Sequence, residues 1–273
     1  MKNTPKGLYY DPGFVTEQAN SEILRWLSTI YPIWENRYSE SNPPPPGKTQ
    51  RALLRPVYWL GNWQFACLNY YHPPKGIQNR CVRAEPFPPV FIRLLKKVEG
   101  IGRRIFSKAD LPPRWHLNTC LVNLYGARLS GDRLVDVARV GEHKDFEPGP
   151  VASISLGERA LFQFVRSRGR EQGNSVVFQQ WLGNGSLQLF GGELLKRHLF
   201  HRIQRVDRRA GFRFALNVAE FETRRINFTF RYVPEEHIVS YVSLPERLKH
   251  DVKGYVAALA KHSAFFRAEL GQH

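Results

Sequence analysis

Residues two apart on a strand share a face, so pairs at that spacing can close on one ligand. His143 and Asp145 form such a pair in GEHKDFEPG. An imidazole nitrogen and a carboxylate oxygen can grip one divalent ion between them. A third ligand would complete a two-histidine, one-carboxylate facial triad, a site that holds Fe(II) and leaves coordination positions open. His201, in LLKRHLFHRI, is the candidate, because it follows the apolar run SLQLF and the turn GGE. His198, three residues earlier, is its competitor. The His-x-Asp pattern alone is common, and most histidines bind no metal. Asn123 and Tyr125 are a second pair on one strand face; their amide and phenol could equally be satisfied by neighbouring backbone. The third pair sits in RINFTFR. There Ile226, Phe228 and Phe230 share one face, while Arg225, Asn227, Thr229 and Arg231 share the other. A strand so apolar on one side should be central. A guanidinium buried on its other side needs a carboxylate or phosphate, and Arg binds carboxylate bidentately. The alternative is a surface strand with a solvated basic face. Taken together, the pairs point to a small barrel whose interior holds a metal and a dicarboxylate.

The elements that must position these residues can be read from periodicity. Residues 16–31 fit an amphipathic helix with Thr16 as N-cap and Ile23, Leu24, Leu27 and Ile30 on one face. A second helix is expected over 88–106, where Pro88 and Pro89 stand at the start and Val90, Leu94, Leu95, Val98 and Ile101 line one side. From 117 the pattern changes. Segments near 119–125, 150–157, 160–165, 174–182, 186–190, 212–221 and 225–233 are rich in β-branched and aromatic residues, with Gly, Asn and Asp between them. Asn184-Gly185 reads as a hairpin turn. Many short strands with turns predict a sandwich or barrel. Helix returns at the end, with Tyr255, Leu259 and Phe266 as its apolar residues. Pro43 to Pro46 predict an exposed polyproline-like loop. No repeat and no interdomain linker is visible, so 1–273 is expected to be one domain.

The 273 residues include 35 aromatics, which need a core and exclude intrinsic disorder as the whole answer. No run approaches the ~18 apolar residues of a membrane span, and the N-terminus has no apolar signal region. Cys67, Cys81 and Cys120 form no zinc spacing and fit reduced thiols in a cytoplasmic protein. The net charge is +16, with 40 Lys and Arg against 24 Asp and Glu. Such a balance attracts polyanions, nucleic acid most often, although a solubilising surface would look the same.

The ordered set Asn123-x-Tyr125, His143-x-Asp145, PVASISLG (150–157), GGE (191–193) followed by His201, and RINFTFR (225–231) resembles the AlkB-type dioxygenases. The resemblance covers about 117–232. It extends more loosely to RPVYWLG (55–61), Tyr71 and PFPP (86–89), which look like that family's nucleotide-recognition segment. It implies an α+β fold: a double-stranded β-helix (jelly roll) core over 117–232, flanked by helices. A recognition region would lie at about 50–116 and a C-terminal helical extension at 233–273. It implies Fe(II), 2-oxoglutarate and O2 as cofactors, with His143, Asp145 and His201 as metal ligands. Arg225 would pair the distal carboxylate of 2-oxoglutarate, Arg231 would lie near its other end, and Asn123 and Tyr125 would donate to it. The implied activity is demethylation of N-alkylated bases in DNA or RNA by a monomer, releasing formaldehyde, succinate and CO2. Trp59, Trp63 and Tyr71 are candidates to stack a flipped base, and Glu147, two places after Asp145, to contact it.

The sequence departs from the family in three places. Seventeen residues separate Tyr125 from His143, so GARLSGDRLVDVARVG is expected to form a loop over or beside the site. A second basic loop is expected at 166–175. The stretch from His201 to Arg225 is long and carries Arg202, Arg205, Arg208, Arg209 and Arg213. Two other functions stay open: the same iron chemistry on a protein, lipid or small molecule, or a non-catalytic nucleic-acid-binding protein.

Overall fold

Thr16 caps the first helix as its sequence requires, its hydroxyl accepting from the Ala19 amide at 3.3 Å. In the computed structural model, which describes residues 4–68, 81–136, 140–167, 176–204 and 211–271, this helix is α1 (Glu17–Leu27), preceded by β1 (Leu8–Asp11). It ends four residues earlier than the periodicity suggests. The Ser28 and Thr29 hydroxyls donate to the Arg25 and Trp26 carbonyls in its last turn. Next come β2 (Val57–Leu60), β3 (Asn62–Gln64), β4 (Cys81–Arg83) and α2 (Pro89–Ile105). The core strands follow: β5 (Thr119–Ser130), β6 (Arg133–Val135), β7 (Val140–His143), β8 (Val151–Gly157), β9 (Ala160–Val165), β10 (Val176–Leu182) and β11 (Ser186–Phe190). One wide turn of π geometry, Leu194–His198, leads into β12 (Phe200–Gln204). The chain closes with β13 (Phe221–Arg231), β14 (Ile238–Val239), α3 (Glu246–Ala260) and α4 (Ala264–Glu269).

Two antiparallel sheets face each other in a jelly roll. The larger has the order β1-β11-β8-β13-β5-β2, with β6 added to β5; the smaller is β10-β9-β12-β7. A three-stranded sheet, β14-β4-β3, stands apart from both. β13 is central as its composition demands, paired with β5 on one side and β8 on the other. Its Ile226, Phe228 and Phe230 are fully buried on the outer face. Phe91 of α2 packs there, with ring centroids 4.8 Å from Phe228 and 5.6 Å from Phe230, and Trp26 of α1 meets Phe91 edge-on. The helices therefore dry one face of the large sheet. Its other face, carrying Arg225, Asn227, Thr229 and Arg231, looks into the jelly roll. Among the described residues, no helix is long and apolar enough to cross a membrane.

Two expectations fail. Of the strand expected over 212–221, only Phe221, the first residue of β13, and the single bridge Phe214–Thr223 are realised. β5 and β8 take both edges of β13 from Arg225 to Phe230, and the short edge left free before that admits only this one bridge. The segment's alternating apolar residues pack on the core instead, and Asn217 donates to the carbonyls of Ser28 and Ile30, at 2.9 Å each. Asn184-Gly185 is not a hairpin turn, because β10 and β11 lie in different sheets. It is a corner that carries the chain from the small sheet to the large one. Gly185 takes the positive φ (75°) and Asn184 Oδ1 accepts from the Gly157 amide at 2.8 Å.

Candidate metal and cosubstrate centre

β7 and β12 pair antiparallel with His143 opposite His201, so the sheet register brings the two imidazoles together, centroids 4.2 Å apart. Asp145 lies two residues past the end of β7, and its Oδ2 is 3.3 Å from His201 Nε2. One ligand atom from each of the three residues lies within 4.8 Å of the others. His143 Nδ1 is 2.8 Å from the Gly141 carbonyl, which can only accept; Nδ1 therefore carries the proton and Nε2 keeps its lone pair. Burial, reinforced by His201, pushes the His143 pKa down to about 3, so the ring is neutral, the form that binds metal. Phe162, Phe164 and Phe190 wall His201. Burial would raise the Asp145 carboxyl, but Arg231 and His201 outweigh it and hold it well below the usual range. Arg231 Nε donates to Asp145 Oδ1 at 2.8 Å. Asp145 Oδ2 is buried and takes no hydrogen bond from the described residues. A desolvated carboxylate oxygen facing two imidazoles fits a divalent cation better than it fits an empty apolar pocket.

His198 does not belong to this cluster. It is exposed on the π turn and pairs with Glu193 at 3.4 Å. The choice between the two histidines follows from register: position 201 faces His143 across the ladder.

Deeper in the roll, Arg225 is 3% exposed and stands opposite Tyr125 on β5 and Gly157 on β8. Its Nη2 donates to Ser155 Oγ at 2.9 Å and its guanidinium lies 5.0 Å from the Tyr125 ring centroid. Nε and Nη1 have no hydrogen-bond partner among the described residues. Burial lowers its pKa, and the Tyr125 phenol offsets part of that effect. Such a cation calls for an anion with two oxygens. Asn123 is turned by Arg55, whose Nε donates to Asn123 Oδ1 at 2.6 Å, while the amide nitrogen donates to the Leu121 carbonyl at 3.4 Å and to Thr229 Oγ1 at 3.5 Å. Arg55, Ser153 and Ser155 are the residues that sequence reasoning missed. The serines carry a signal, since they alternate with Ala152, Ile154 and Leu156 in PVASISLG. Arg55 carries none, because its partner is 68 positions away.

Arg231 reaches the metal turn, at 2.8 Å from Asp145 and 3.6 Å from Glu147. Glu147 is buried beside it, its carboxylate without a hydrogen bond among the described residues. The aromatic candidates lie elsewhere. The indoles of Trp59 and Trp63 both donate to Glu35 Oε1, at 2.6 and 2.8 Å, and the Ala66 amide donates to Oε2 at 3.0 Å. Trp63 is 1% exposed and stacks on Phe65, with Phe266 of α4 at its edge. This corrects the stacking expectation for both tryptophans: each is buried in the core with its N–H committed to a carboxylate. Tyr71 lies outside the described residues.

The segment between Tyr125 and His143 is only partly the expected loop. β5 runs on through Ser130 and turns back as β6, forming a hairpin beside Trp34, Leu53 and Leu54. Positions 137–139, 168–175 and 205–210 lie outside the described residues, and with them Arg205, Arg208, Arg209 and most of the second basic loop. Arg202 pairs with Glu142 at 2.7 Å and Arg213 with Glu222 at 3.4 Å. Cys67, Cys81 and Cys120 are free and buried.

The chain is similar to known proteins in sequence and in fold. The DNA N(6)-methyladenine demethylase ALKBH1D of Arabidopsis thaliana is 27% identical over 208 residues, covering 68% of this chain and 44% of that protein. The chain thus spans less than half the length of that relative. The solved structure of OsALKBH1 superposes with a TM-score of 0.52 at 21% identity, over 85% of this chain and all of that one, which supports the fold. The family description of the 2OG-Fe(II) oxygenase superfamily matches residues 7–231, nearly the whole of both sheets. The chain belongs to the 2OG-Fe(II) oxygenase superfamily.

Proposed function

We propose that this dioxygenase removes N-methyl groups from bases in DNA or RNA, with His143, Asp145 and His201 holding Fe(II) and Arg225 holding 2-oxoglutarate. The observation that carries the reading is the pairing of the three clustered ligands with a buried arginine that lacks a full set of partners. Iron and 2-oxoglutarate, when bound, activate dioxygen and supply the oxidant, with release of succinate and CO2. The chain supplies the rest. Arg225 and the Ser155 hydroxyl fix one end of the dicarboxylate, and Asn123, oriented by Arg55, presents its amide to the same interior. Phe162, Phe164 and Phe190 keep water from the metal side. Arg231 holds Asp145 ionised and in place. A methyl on a pairing edge is reachable only in a flipped or single-stranded base.

The nucleic-acid part rests on the net charge of +16 and on the demethylase activity named for the Arabidopsis relative. One observation favours a second reading, the same chemistry on a protein, lipid or small molecule: Trp59 and Trp63 present no free face for a base. The two readings separate on a methylated single-stranded oligonucleotide incubated with enzyme, Fe(II), 2-oxoglutarate and ascorbate. Loss of the methyl group, followed by mass spectrometry of the nucleosides, is the outcome the first reading requires. An unchanged oligonucleotide, with succinate release stimulated by a protein extract or lipid, would select the second.

A further inference from the structure

Sheet pairing fixes His143 against His201, but Asp145 lies beyond β7, in a turn that no ladder holds. Two side-chain bonds tie that turn to the π turn that leads into β12. Lys196 Nζ donates to the Glu147 carbonyl oxygen at 2.8 Å. Lys144 Nζ donates to the Arg197 carbonyl oxygen. The arrangement is reciprocal, each segment contributing one lysine and one backbone carbonyl. The two bonds bracket Asp145, one from the residue before it and one to a residue two places after it. The Lys144 ammonium also lies 4.5 Å from the centroid of Phe200, the neighbour of His201. A π turn carries one residue more than an α turn and re-aims the chain that follows, which is why such turns gather at functional sites.

We infer that Lys144 and Lys196 are positioning residues, a reciprocal pair of lysine-to-carbonyl clamps that sets where Asp145 stands relative to His201 and so sets the affinity for the metal. The inference rests on the reading of His143, Asp145 and His201 as the metal site. Both lysines bond backbone, so their effect on the metal passes through the position of the turn. Their charge acts in the opposite direction. An ammonium near two carboxylates repels an incoming dication, so removing the charge alone would tighten metal binding. Removing the clamp lets the Asp145 turn drift and weakens binding. The sign of the change therefore separates position from charge.

The test is a Co(II) titration of the metal-free protein, followed by calorimetry and by the visible ligand-field absorption, with Lys144→Met, Lys196→Met and Lys196→Arg, and with His143→Ala as control. Methionine keeps the apolar stem and removes the donor. Each methionine variant is expected to weaken Co(II) binding by about tenfold, the usual scale for residues that orient metal ligands, and to alter the absorption band. Lys196→Arg, which can still donate, is expected to recover most of the affinity. Thermal unfolding of the metal-free variants should change little. Unchanged or tighter Co(II) binding in both methionine variants would overturn the inference. So would a lower unfolding temperature with unchanged Co(II) affinity, which would make the bonds part of the general fold. If Lys196→Met does not fold, Lys144→Met, at the more exposed of the two bonds, decides alone. If the unaltered protein binds no Co(II), or His143→Ala binds it equally well, the metal-site reading itself fails, an outcome distinct from failure of the clamp.

Discussion

Arg225 and Glu35 are both buried charges, and their surroundings give them opposite meanings. Arg225 has nitrogens without partners and lies in the interior beside Tyr125 and Ser155. Hydrogen bonds to charged groups contribute roughly 1.5–3 kcal/mol. Arg225→Lys is therefore expected to raise the KM for 2-oxoglutarate by about tenfold or more, with Co(II) binding intact; succinate release at varied 2-oxoglutarate measures it. Glu35 is fully supplied with donors and organises the core instead. Burial raises its pKa above the ordinary 4.5, against the pull of the Ala66 amide, the two indoles and Arg55. A carboxyl raised in the folded state contributes its stability below the unfolded pKa and loses it as pH rises through the folded value. The stability gap between the unaltered protein and Glu35→Gln should thus be widest below pH 4.5 and narrow as pH rises, as read by urea unfolding across pH. A gap that widens with pH would contradict this. The metal ligands are legible in the sequence through their motif order; strand period does not place Asp145, which lies in the turn past the end of β7. The fate of Trp59 and Trp63 is not legible, because their partner Glu35 lies 24 and 28 positions away and carries no local pattern.

At the scale of elements, β5 and β13 decide where the cosubstrate residues stand. Their ladder shifts register between Thr223 and Arg225, and Gly126 sits at the shift. A Cβ on Gly126 would come within 1.8 Å of the Glu222 carbonyl oxygen. Gly126→Ala must therefore push the strands apart at the bulge that sets Arg225 opposite Tyr125. The expected result is a loss of about 1–3 kcal/mol in stability together with weaker 2-oxoglutarate binding; chemical denaturation and calorimetry check the two halves. α1 and α2 are legible from periodicity, and β8, β9 and β11 from their β-branched and aromatic content. The failures share a cause. Residues 212–220 alternate like a strand, yet β5 and β8 occupy both edges of β13 from Arg225 to Phe230 and leave room for one bridge, at Thr223. Asn184-Gly185 has hairpin chemistry, yet its flanking strands separate into two sheets. Local pattern specifies what a segment can bury, and only the assembled sheets decide which edges remain free.

At the scale of the whole molecule, the net charge of +16 is the term that acts at a distance. If the polyanion is the substrate, affinity for a single-stranded oligonucleotide should fall by about tenfold or more between roughly 50 and 200 mM salt, through counterion release. Fluorescence anisotropy across salt measures the slope, and a flat response would remove nucleic acid from the account. The most direct measurement is the ratio of formaldehyde to succinate, with Fe(II), 2-oxoglutarate and ascorbate, in the presence and absence of a methylated single-stranded oligonucleotide. The account predicts one formaldehyde for each succinate formed in response to the oligonucleotide, and neither product from His143→Ala. Succinate released at the same rate with or without the oligonucleotide, and no formaldehyde, would contradict it.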